Sequence, residues 1–163
     1  MPFNRPLLLA LAIFAIAAAS IAGALIFEAL GYAPCELCLK ERIPYYAGIA
    51  VSGLAVAFAA WGKAKLLRAA FFALALIFAG SAVFGAYHAG VEWGFWPGPQ
   101  ECSGTLQRAA TVAEFLAQLE NVKVVRCDAP ALTILGLSLA GWNAVVSGAL
   151  SILAIMELRA WKQ

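Results

Sequence analysis

The sequence predicts an all-α integral membrane protein, a four-transmembrane-helix bundle with two extracytoplasmic loops. The first observation is composition: the 163 residues are 64% hydrophobic and 12% charged, whereas soluble domains are about 45 to 50% apolar and about 25% charged. The second is that the apolar residues form uncharged runs of membrane length. The third is the net charge of only +2, which gives no broad basic surface for a nucleic-acid backbone. A soluble domain and a nucleic-acid partner are therefore excluded.

Each predicted span is an uncharged run that can cross a bilayer as a helix, which takes about 20 residues. The fourth run is the longest, but Pro130 and Gly136 interrupt its first half, so only its second half is counted as a span. The first run exceeds the apolar core of a signal peptide, about 7 to 15 residues, so we expect a retained helix. Together the runs predict one membrane domain over residues 1–163. The spans are placed at about 7–27, 43–61, 69–87 and 140–158.

The distribution of lysine and arginine predicts which loops face the cytoplasm. The face that holds both termini carries six basic residues and one acid, a net charge of +5. The opposite face carries five basic and eight acidic residues, a net charge of −3. Three of the six lie around one short connector, where this rule is most informative. We therefore expect cytoplasmic termini and two extracytoplasmic loops, 28–42 and 88–139. The six basic residues are Arg5, Lys63, Lys65, Arg68, Arg159 and Lys162.

The longer loop contains two patterns that indicate attachment to the membrane surface. Thr111 and Glu114 have the spacing of a helix capping box, and apolar residues follow at helical spacing. We expect a short amphipathic helix on the membrane surface there. A cluster of aromatic residues just after the third span is typical of interfacial anchors, with ligand binding as the alternative. The cluster consists of Trp93, Phe95 and Trp96.

All four cysteines fall in the two predicted extracytoplasmic loops. Cys35 and Cys38 form a C-x-x-C pair, and Cys102 and Cys127 lie 25 residues apart in the longer loop. In an oxidising compartment two disulfides are the natural arrangement, although four cysteines allow three connectivities. A C-x-x-C bridge closes a loop too small to stabilise the fold much, so this pair indicates thiol–disulfide exchange. Cys102 with Cys127 is either a structural staple or a second exchanging pair.

Metal and haem sites fit this cysteine pattern poorly. A zinc ribbon needs a second C-x-x-C where this chain has two cysteines 25 residues apart, so we expect no metal. Covalent haem attachment needs a histidine directly after the pair, and Leu39 stands there. A c-type haem is therefore excluded.

Two further polar residues are predicted on the same face of the membrane as the C-x-x-C pair. Arg42 follows Cys38 by four residues, and a nearby guanidinium lowers a thiol pKa and so favours the reactive thiolate. The alternative for Arg42 is a snorkelling anchor at the interface. His88 is the only histidine and lies at the outer end of the third span. At that depth both side chains can hydrogen-bond a lipid-soluble electron acceptor, although a lone interfacial histidine also has an ordinary amphipathic role.

These residues resemble the disulfide bond formation protein B family, the four-helix inner-membrane thiol oxidoreductases of Gram-negative bacteria that pass electrons to quinone. The resemblance covers nearly the whole chain. Its most specific part is the twelve-residue stretch 34–45, which contains the C-x-x-C pair and Arg42. The chain departs from the family pattern at 129–132, Ala-Pro-Ala-Leu, where an aromatic residue is expected. The other matching stretches are Glu-Cys-Ser-Gly at 101–104, Arg-Cys-Asp at 126–128, Leu-Gly-Leu-Ser at 135–138 and Gly-Trp-Asn at 141–143.

The resemblance implies a relay of disulfide exchange from a soluble thiol oxidase to a membrane quinone. A reduced periplasmic partner similar to DsbA, with a reduction potential of about −120 mV, would attack Cys102 and release Cys127. Cys127 would then attack Cys35 and free Cys38 as a thiolate beside the quinone. The quinone would be ubiquinone or menaquinone.

The resemblance also assigns the two polar residues and the location. Arg42 would stabilise the Cys38 thiolate and the reduced quinone oxygen, and His88 would border the same pocket. The protein would lie in the bacterial inner membrane, in contact with lipid, with its cysteines in the periplasm.

Two other functions stay open at this stage. A structural membrane subunit with two bracing disulfides would need no quinone. A quinone-linked reductase of the vitamin K epoxide type has related chemistry, but its C-x-x-C is expected near the end of the bundle, after the loop pair. Here the order is reversed.

Overall fold

The computed structural model describes residues 5–99, 111–112 and 126–161. Within these residues the regular secondary structure is helical apart from one two-stranded hairpin, and four helices are long and apolar enough to cross a membrane. The predicted four-helix membrane bundle is therefore confirmed. The amphipathic helix predicted from Thr111 onward lies mostly outside the described residues and stays a prediction. The elements are α1 (Arg5–Ala29), α2 (Glu36–Ala60), α3 (Ala64–Glu92), β1 (Thr133–Ile134), β2 (Leu137–Ser138) and α4 (Leu139–Ala160).

Helix α3 packs most extensively against α4 and α2, whereas α1 packs mainly against α2. The core between them contains Phe71, Phe78 and Leu74 from α3, all fully buried. Many large apolar side chains instead point outward, for example Val83 and Phe72, which are 72% and 57% exposed. An apolar exterior of this kind is unfavourable in water and is what lipid requires of a spanning helix.

Small residues allow α3 and α4 to approach closely. A Cβ atom added at Gly85 would lie 2.9 Å from the backbone nitrogen of Ala144, so only glycine fits there. Nearby, the Ser147 hydroxyl donates to the Ser81 hydroxyl at 2.9 Å, and the Tyr45 hydroxyl lies 3.0 Å from Ser147 Oγ. Small residues at the interface and interhelical hydrogen bonds are the usual means of helix association in lipid.

All four helices extend beyond their predicted spans, and α2 and α3 extend furthest. Helix α2 begins at Glu36, with Cys35 as its N-cap, and Pro44 lies inside it. Helix α3 continues to Glu92 and therefore includes His88. The apolar runs end at the first charge, but a helix can continue through the polar interface because its backbone hydrogen bonds are internal. As a result, the C-x-x-C pair and His88 are attached to rigid helices rather than to loops.

The two ends of the bundle differ in composition. Arg5 Nε lies 3.4 Å from Glu157 Oε2, so the start of α1 and the end of α4 meet at one end. Cys35, Cys38, Cys127, Arg42 and His88 belong to the other end. There, Leu135 and Gly136 form the two-residue turn of the hairpin, with φ of 53° and 82°, as a type I′ turn requires. Ser138 then caps α4 by accepting a hydrogen bond from Gly141 N at 3.1 Å.

The aromatic cluster after α3 packs back on that helix. Trp96 stacks on Tyr87 with ring centroids 5.9 Å apart, and Trp96 Nε1 donates to the Tyr87 carbonyl oxygen at 3.0 Å. Trp93 and Phe95 are mostly exposed. This combination of an apolar body and a satisfied polar atom suits the membrane interface, and the anchoring role stays a prediction.

Candidate functional site

The C-x-x-C pair occupies the N-terminus of helix α2. Cys35 is the N-cap residue, with extended backbone angles, and its sulfur accepts a hydrogen bond from the backbone nitrogen of Cys38 at 3.2 Å. Both cysteines carry free thiols, and Cys35 is only 4% exposed. A sulfur at the positive end of a helix is favoured as a thiolate, which is the form that exchanges with disulfides.

A histidine and a carboxylate from different helices stand next to this pair. His88 Nε2 lies 3.6 Å from Cys35 Sγ, and His88 Nδ1 lies 2.8 Å from Glu41 Oε1. His88 is 1% exposed, and the Glu41 side chain is 10% exposed. Carboxylate, imidazole and thiol thus form a continuous buried chain. In such an arrangement the carboxylate orients the ring and the ring exchanges a proton with the thiol.

The same surroundings make Cys35 acidic. Hydrogen bonding from Cys38 and then from His88 lowers the pKa of Cys35 to about 4, against the opposing effect of burial. Because this pKa lies far below neutral pH, the reduced pair presents Cys35 as a thiolate under physiological conditions.

Cys127, from the longer loop, packs against the C-x-x-C pair. It is 1% exposed and forms one buried cluster with Cys35 and Leu37, with Cys38 and Phe84 packed around it. Cys127 is itself disulfide-bonded. Its neighbours Arg126 and Asp128 point outward and form a two-point ion pair, with both N–O distances at 2.8 Å.

Sulfur atoms from both predicted pairs are therefore brought to one place. Cys102 lies outside the described residues, so its pairing with Cys127 stays a prediction.

A cavity of about 330 Å³ opens beside Cys38. Its lining is mostly apolar and comes from α1, α2, α4, the last residue of α3 and the connecting segments. Arg42 also lines it, with a side chain 13% exposed and Nη1 2.7 Å from Glu28 Oε2. This volume lies at the lower end of the range for small-molecule sites, about 300 to 1,000 Å³. Its polar lining residues include Glu41, Tyr45, Glu92 and Asn143.

The structure thus brings together five of the six residues that sequence reasoning selected. Cys38 and Arg42 share the cavity, and Cys35 shares a cluster with Cys127. His88 contacts Cys35 and is not among the described residues that line the cavity, so its contact with quinone stays a prediction.

Sequence reasoning missed Glu41, which links His88 to the site. The sequence held a signal for it: Glu41 follows Cys38 by three residues, on the same helix face. At that depth an unpaired charge is costly, so a partner was to be expected.

Three side chains in this site also have the chemistry of metal ligands. The candidate ligand atoms of Cys35, Cys38 and His88 all lie within 4.8 Å of one another.

Comparisons with known proteins give one family. The family model described as disulfide bond formation protein DsbB matches residues 5–156, nearly the whole chain. An uncharacterized protein of Rickettsia prowazekii (strain Madrid E) is 27% identical over 118 residues, which cover 71% of this chain and 66% of that protein. The match therefore spans just under two thirds of that relative. No solved structure matches the chain significantly.

Proposed function

Since this chain belongs to the DsbB family of membrane disulfide-bond formation proteins, we propose that it reoxidises a DsbA-like periplasmic thiol oxidase. The two electrons then pass through the two cysteine pairs to a membrane quinone, either ubiquinone or menaquinone. The observation that carries this proposal is the packing of Cys127 in the same buried cluster as Cys35. Exchange between two pairs requires their sulfur atoms to meet, and a purely structural staple has no reason to lie there.

The first half of the reaction takes electrons from the partner. A partner thiolate attacks Cys102, which forms a mixed disulfide and releases Cys127 as a thiolate. Cys127 then attacks Cys35, the Cys35–Cys38 bond breaks, and Cys38 leaves as a thiolate. The partner's second thiol resolves the mixed disulfide, so the partner departs oxidised and Cys102 is left reduced.

The second half restores the loop pair and leaves the C-x-x-C pair reduced. Cys102 attacks Cys127 in the Cys35–Cys127 disulfide, and Cys35 leaves as a thiolate. Free thiols at Cys35 and Cys38, with Cys127 disulfide-bonded, correspond to this stage. Two electrons and two protons must then move from the C-x-x-C pair to the acceptor.

His88 and Glu41 are proposed to manage the proton at Cys35. The Glu41 carboxylate accepts a hydrogen bond from Nδ1, so Nε2 faces Cys35 Sγ and can take or return its proton. A low thiol pKa also makes Cys35 a good leaving group when Cys102 attacks. His88 and Glu41 therefore assist the steps in which Cys35 leaves as a thiolate.

The quinone acceptor fits the cavity beside Cys38. A quinone would accept two electrons and two protons, and it is soluble in the membrane. The apolar lining of the cavity suits a ring, and Cys38 is one of its lining residues. Arg42 places a cation on the same wall, where it stabilises negative charge on the sulfur and on the reduced acceptor. Glu28 holds the guanidinium in place by the 2.7 Å ion pair.

The direction of electron flow follows from the potentials. A DsbA-type partner with a reduction potential of about −120 mV is already strongly oxidising. For two electrons, each 30 mV of potential difference corresponds to about 1.4 kcal/mol. Only an acceptor of still higher potential can reoxidise it. A membrane quinone meets this requirement. The four cysteines alone do not, because they only pass electrons among themselves.

We further propose an inner-membrane location with the cysteine end of the bundle in the periplasm. The ion pair of Arg5 with Glu157 joins the start of α1 to the end of α4 at the opposite end. Lys63 and Lys65, in and just after the α2–α3 connector, add positive charge at that end. This asymmetry favours cytoplasmic termini.

A bracing role is the principal alternative. It gives no role to the buried histidine beside Cys35 or to the cavity beside Cys38, and both favour exchange. A quinone reductase of the vitamin K epoxide type is disfavoured by the family match.

Quinone reduction by the purified protein tests the proposal. The chain is mixed with a reduced DsbA-type oxidase and a soluble quinone analogue, and the loss of quinone absorbance is followed. Cys38→Ser should abolish turnover, because no sulfur then faces the acceptor. Leu39→Ser places the same side chain one residue along, on an exposed position, and should retain turnover. Native-rate turnover by the Cys38 variant would refute the relay.

A further inference from the structure

We propose that the reduced thiols of Cys35 and Cys38, together with the His88 ring, bind a thiophilic divalent cation of the zinc class. Their candidate ligand atoms all lie within 4.8 Å of one another, and Cys35 Sγ lies 3.6 Å from His88 Nε2. In a tetrahedral zinc site, Zn–S bonds of about 2.3 Å and Zn–N bonds of about 2.0 to 2.1 Å place sulfur and nitrogen about 3.6 Å apart. The side chains therefore already stand at the spacing of two ligands on one metal.

Glu41 supplies the supporting contact that a metal-binding histidine requires. Its carboxylate accepts from His88 Nδ1 at 2.8 Å, which fixes the ring and leaves Nε2 directed at Cys35. Carboxylate–histidine–metal chains of this form are usual at zinc sites, where the carboxylate also makes the ring a stronger ligand.

The charge and accessibility of the site suit a dication. Binding uses both sulfurs as thiolates, so any proton that the pair still holds is released to solvent, and the two negative sulfurs neutralise the metal. This neutrality matters because Cys35 and His88 are almost fully buried. Cys38 lines the cavity, which offers a route for the ion and room for water as the fourth ligand. Two sulfurs and one imidazole favour zinc over magnesium or calcium.

This proposal departs from the sequence-based expectation of no metal, which rested on the poor fit of the cysteine spacing to a zinc ribbon. The site needs no cysteine of the longer loop, and its third ligand comes from α3, 53 residues along the chain from Cys35. It exists only while the C-x-x-C pair is reduced, since a disulfide removes both sulfur ligands.

The consequence for activity rests on the proposed function. A bound metal holds both sulfurs as thiolates and makes their electron pairs unavailable to quinone. It should therefore block reoxidation of the C-x-x-C pair. Thiophilic metal ions would then act as inhibitors of the reduced protein at this site.

Cobalt binding tests the site directly. Full-length protein in detergent is reduced, freed of reductant under anaerobic conditions and titrated with Co²⁺. We expect one ion per chain, sulfur-to-cobalt charge-transfer absorbance and tetrahedral visible bands, all displaced by Zn²⁺. The double variant Cys102→Ala/Cys127→Ala should bind equally, because it retains both C-x-x-C sulfurs.

Three variants identify the ligands. Cys38→Ser and His88→Gln should each abolish the tetrahedral spectrum, and Glu41→Gln should weaken affinity about 10- to 100-fold while keeping it. Absence of charge-transfer absorbance in the reduced native protein would overturn the proposal. So would an unchanged spectrum in both His88→Gln and Cys38→Ser, or equal binding after the pair is oxidised.

Inhibition is measured separately, without the soluble partner. The reduced chain is mixed once with a soluble quinone analogue, with or without one equivalent of Zn²⁺, and oxidation of Cys35 and Cys38 is followed by alkylation and mass spectrometry. Zn²⁺ should slow oxidation at least tenfold, and a chelator should restore it. Rapid oxidation of fully metal-loaded protein would contradict the inhibitory role. Failure of metal-free protein to react with quinone would instead contradict the proposed function, and the cobalt result would stand independently.

Discussion

His88 Nε2 lies 3.6 Å from Cys35 Sγ, although 53 residues separate them along the chain. The contact joins the C-terminal end of α3 to the N-cap of α2, and Glu41 fixes the histidine from the other side at 2.8 Å. Because α2 and α3 pack against each other in the bundle, this geometry is held by rigid elements. The two helices therefore hold an imidazole and a carboxylate beside the C-x-x-C pair, as the proposed proton transfer at Cys35 requires.

The first prediction concerns the pH dependence of the Cys35 thiolate. The pKa of Cys35 is lowered to about 4, so its thiolate should persist from neutral pH to about pH 5 and be protonated below that. His88→Gln removes one cause of the lowering, and the midpoint should move up toward the ordinary thiol value of about 8.5.

Ultraviolet thiolate absorbance of the reduced protein measures this midpoint. The background variant Cys102→Ala/Cys127→Ala removes the other thiols, and subtraction of Cys35→Ser isolates the Cys35 signal. An unmodified protein that titrates near about pH 8.5 would show that the helix N-terminus and its neighbours do not act on Cys35.

The second prediction concerns quinone affinity. Arg42→Ala removes a charge-assisted hydrogen bond worth about 1.5 to 3 kcal/mol, so the KM for a quinone analogue should rise about 10- to 100-fold. Disulfide exchange between the partner and the loop pair should be little affected, since Arg42 lines the cavity beside Cys38.

Glu28→Gln is the matched comparison for Arg42. It keeps the guanidinium and weakens only the 2.7 Å ion pair that holds it, so the rise in KM should be smaller. Steady-state kinetics at varied quinone concentration separate KM from kcat. An unchanged KM in Arg42→Ala would leave Arg42 as an interfacial anchor.

The third prediction concerns the packing of α3 against α4. Gly85→Ala should destabilise the bundle by about 1 to 3 kcal/mol, because its Cβ would lie 2.9 Å from the Ala144 backbone nitrogen and 3.2 Å from the Ala140 oxygen. Gly80→Ala lies on the same helix with nothing within 4 Å of its added Cβ and should be neutral or slightly stabilising. Thermal unfolding in detergent compares them, and equal midpoints would contradict this packing.

The helices were predictable from the sequence because lipid imposes a simple requirement on each span. A spanning helix needs an apolar run of about 20 residues, and this chain has four such runs. The helix ends were less predictable. Helix α2 begins at Glu36, before the span placed at about 43–61, and α3 ends at Glu92, after the span placed at about 69–87, since helical hydrogen bonding can continue beyond an apolar run.

Parts of the candidate site depend on contacts that spacing does not reveal. Arg42 and Cys38 are four residues apart on one helix, so their shared face was predictable. The link from Glu41 to His88 spans 47 residues and depends on how α2 and α3 pack. The burial of Cys127 beside Cys35 likewise depends on how the longer loop folds back, which no periodic pattern encodes.

Trapping a disulfide between Cys127 and Cys35 tests the central claim most directly. In the double variant Cys38→Ser/Cys102→Ser these are the two remaining cysteines, and their burial in one cluster predicts a Cys35–Cys127 disulfide on mild oxidation. The comparison variant Cys35→Ser/Cys102→Ser should form much less of the alternative Cys38–Cys127 bond. Mass spectrometry of non-reduced peptides should show the Cys35–Cys127 crosslink as the main species. Full alkylation of both cysteines, with no crosslink, would contradict exchange between the two pairs.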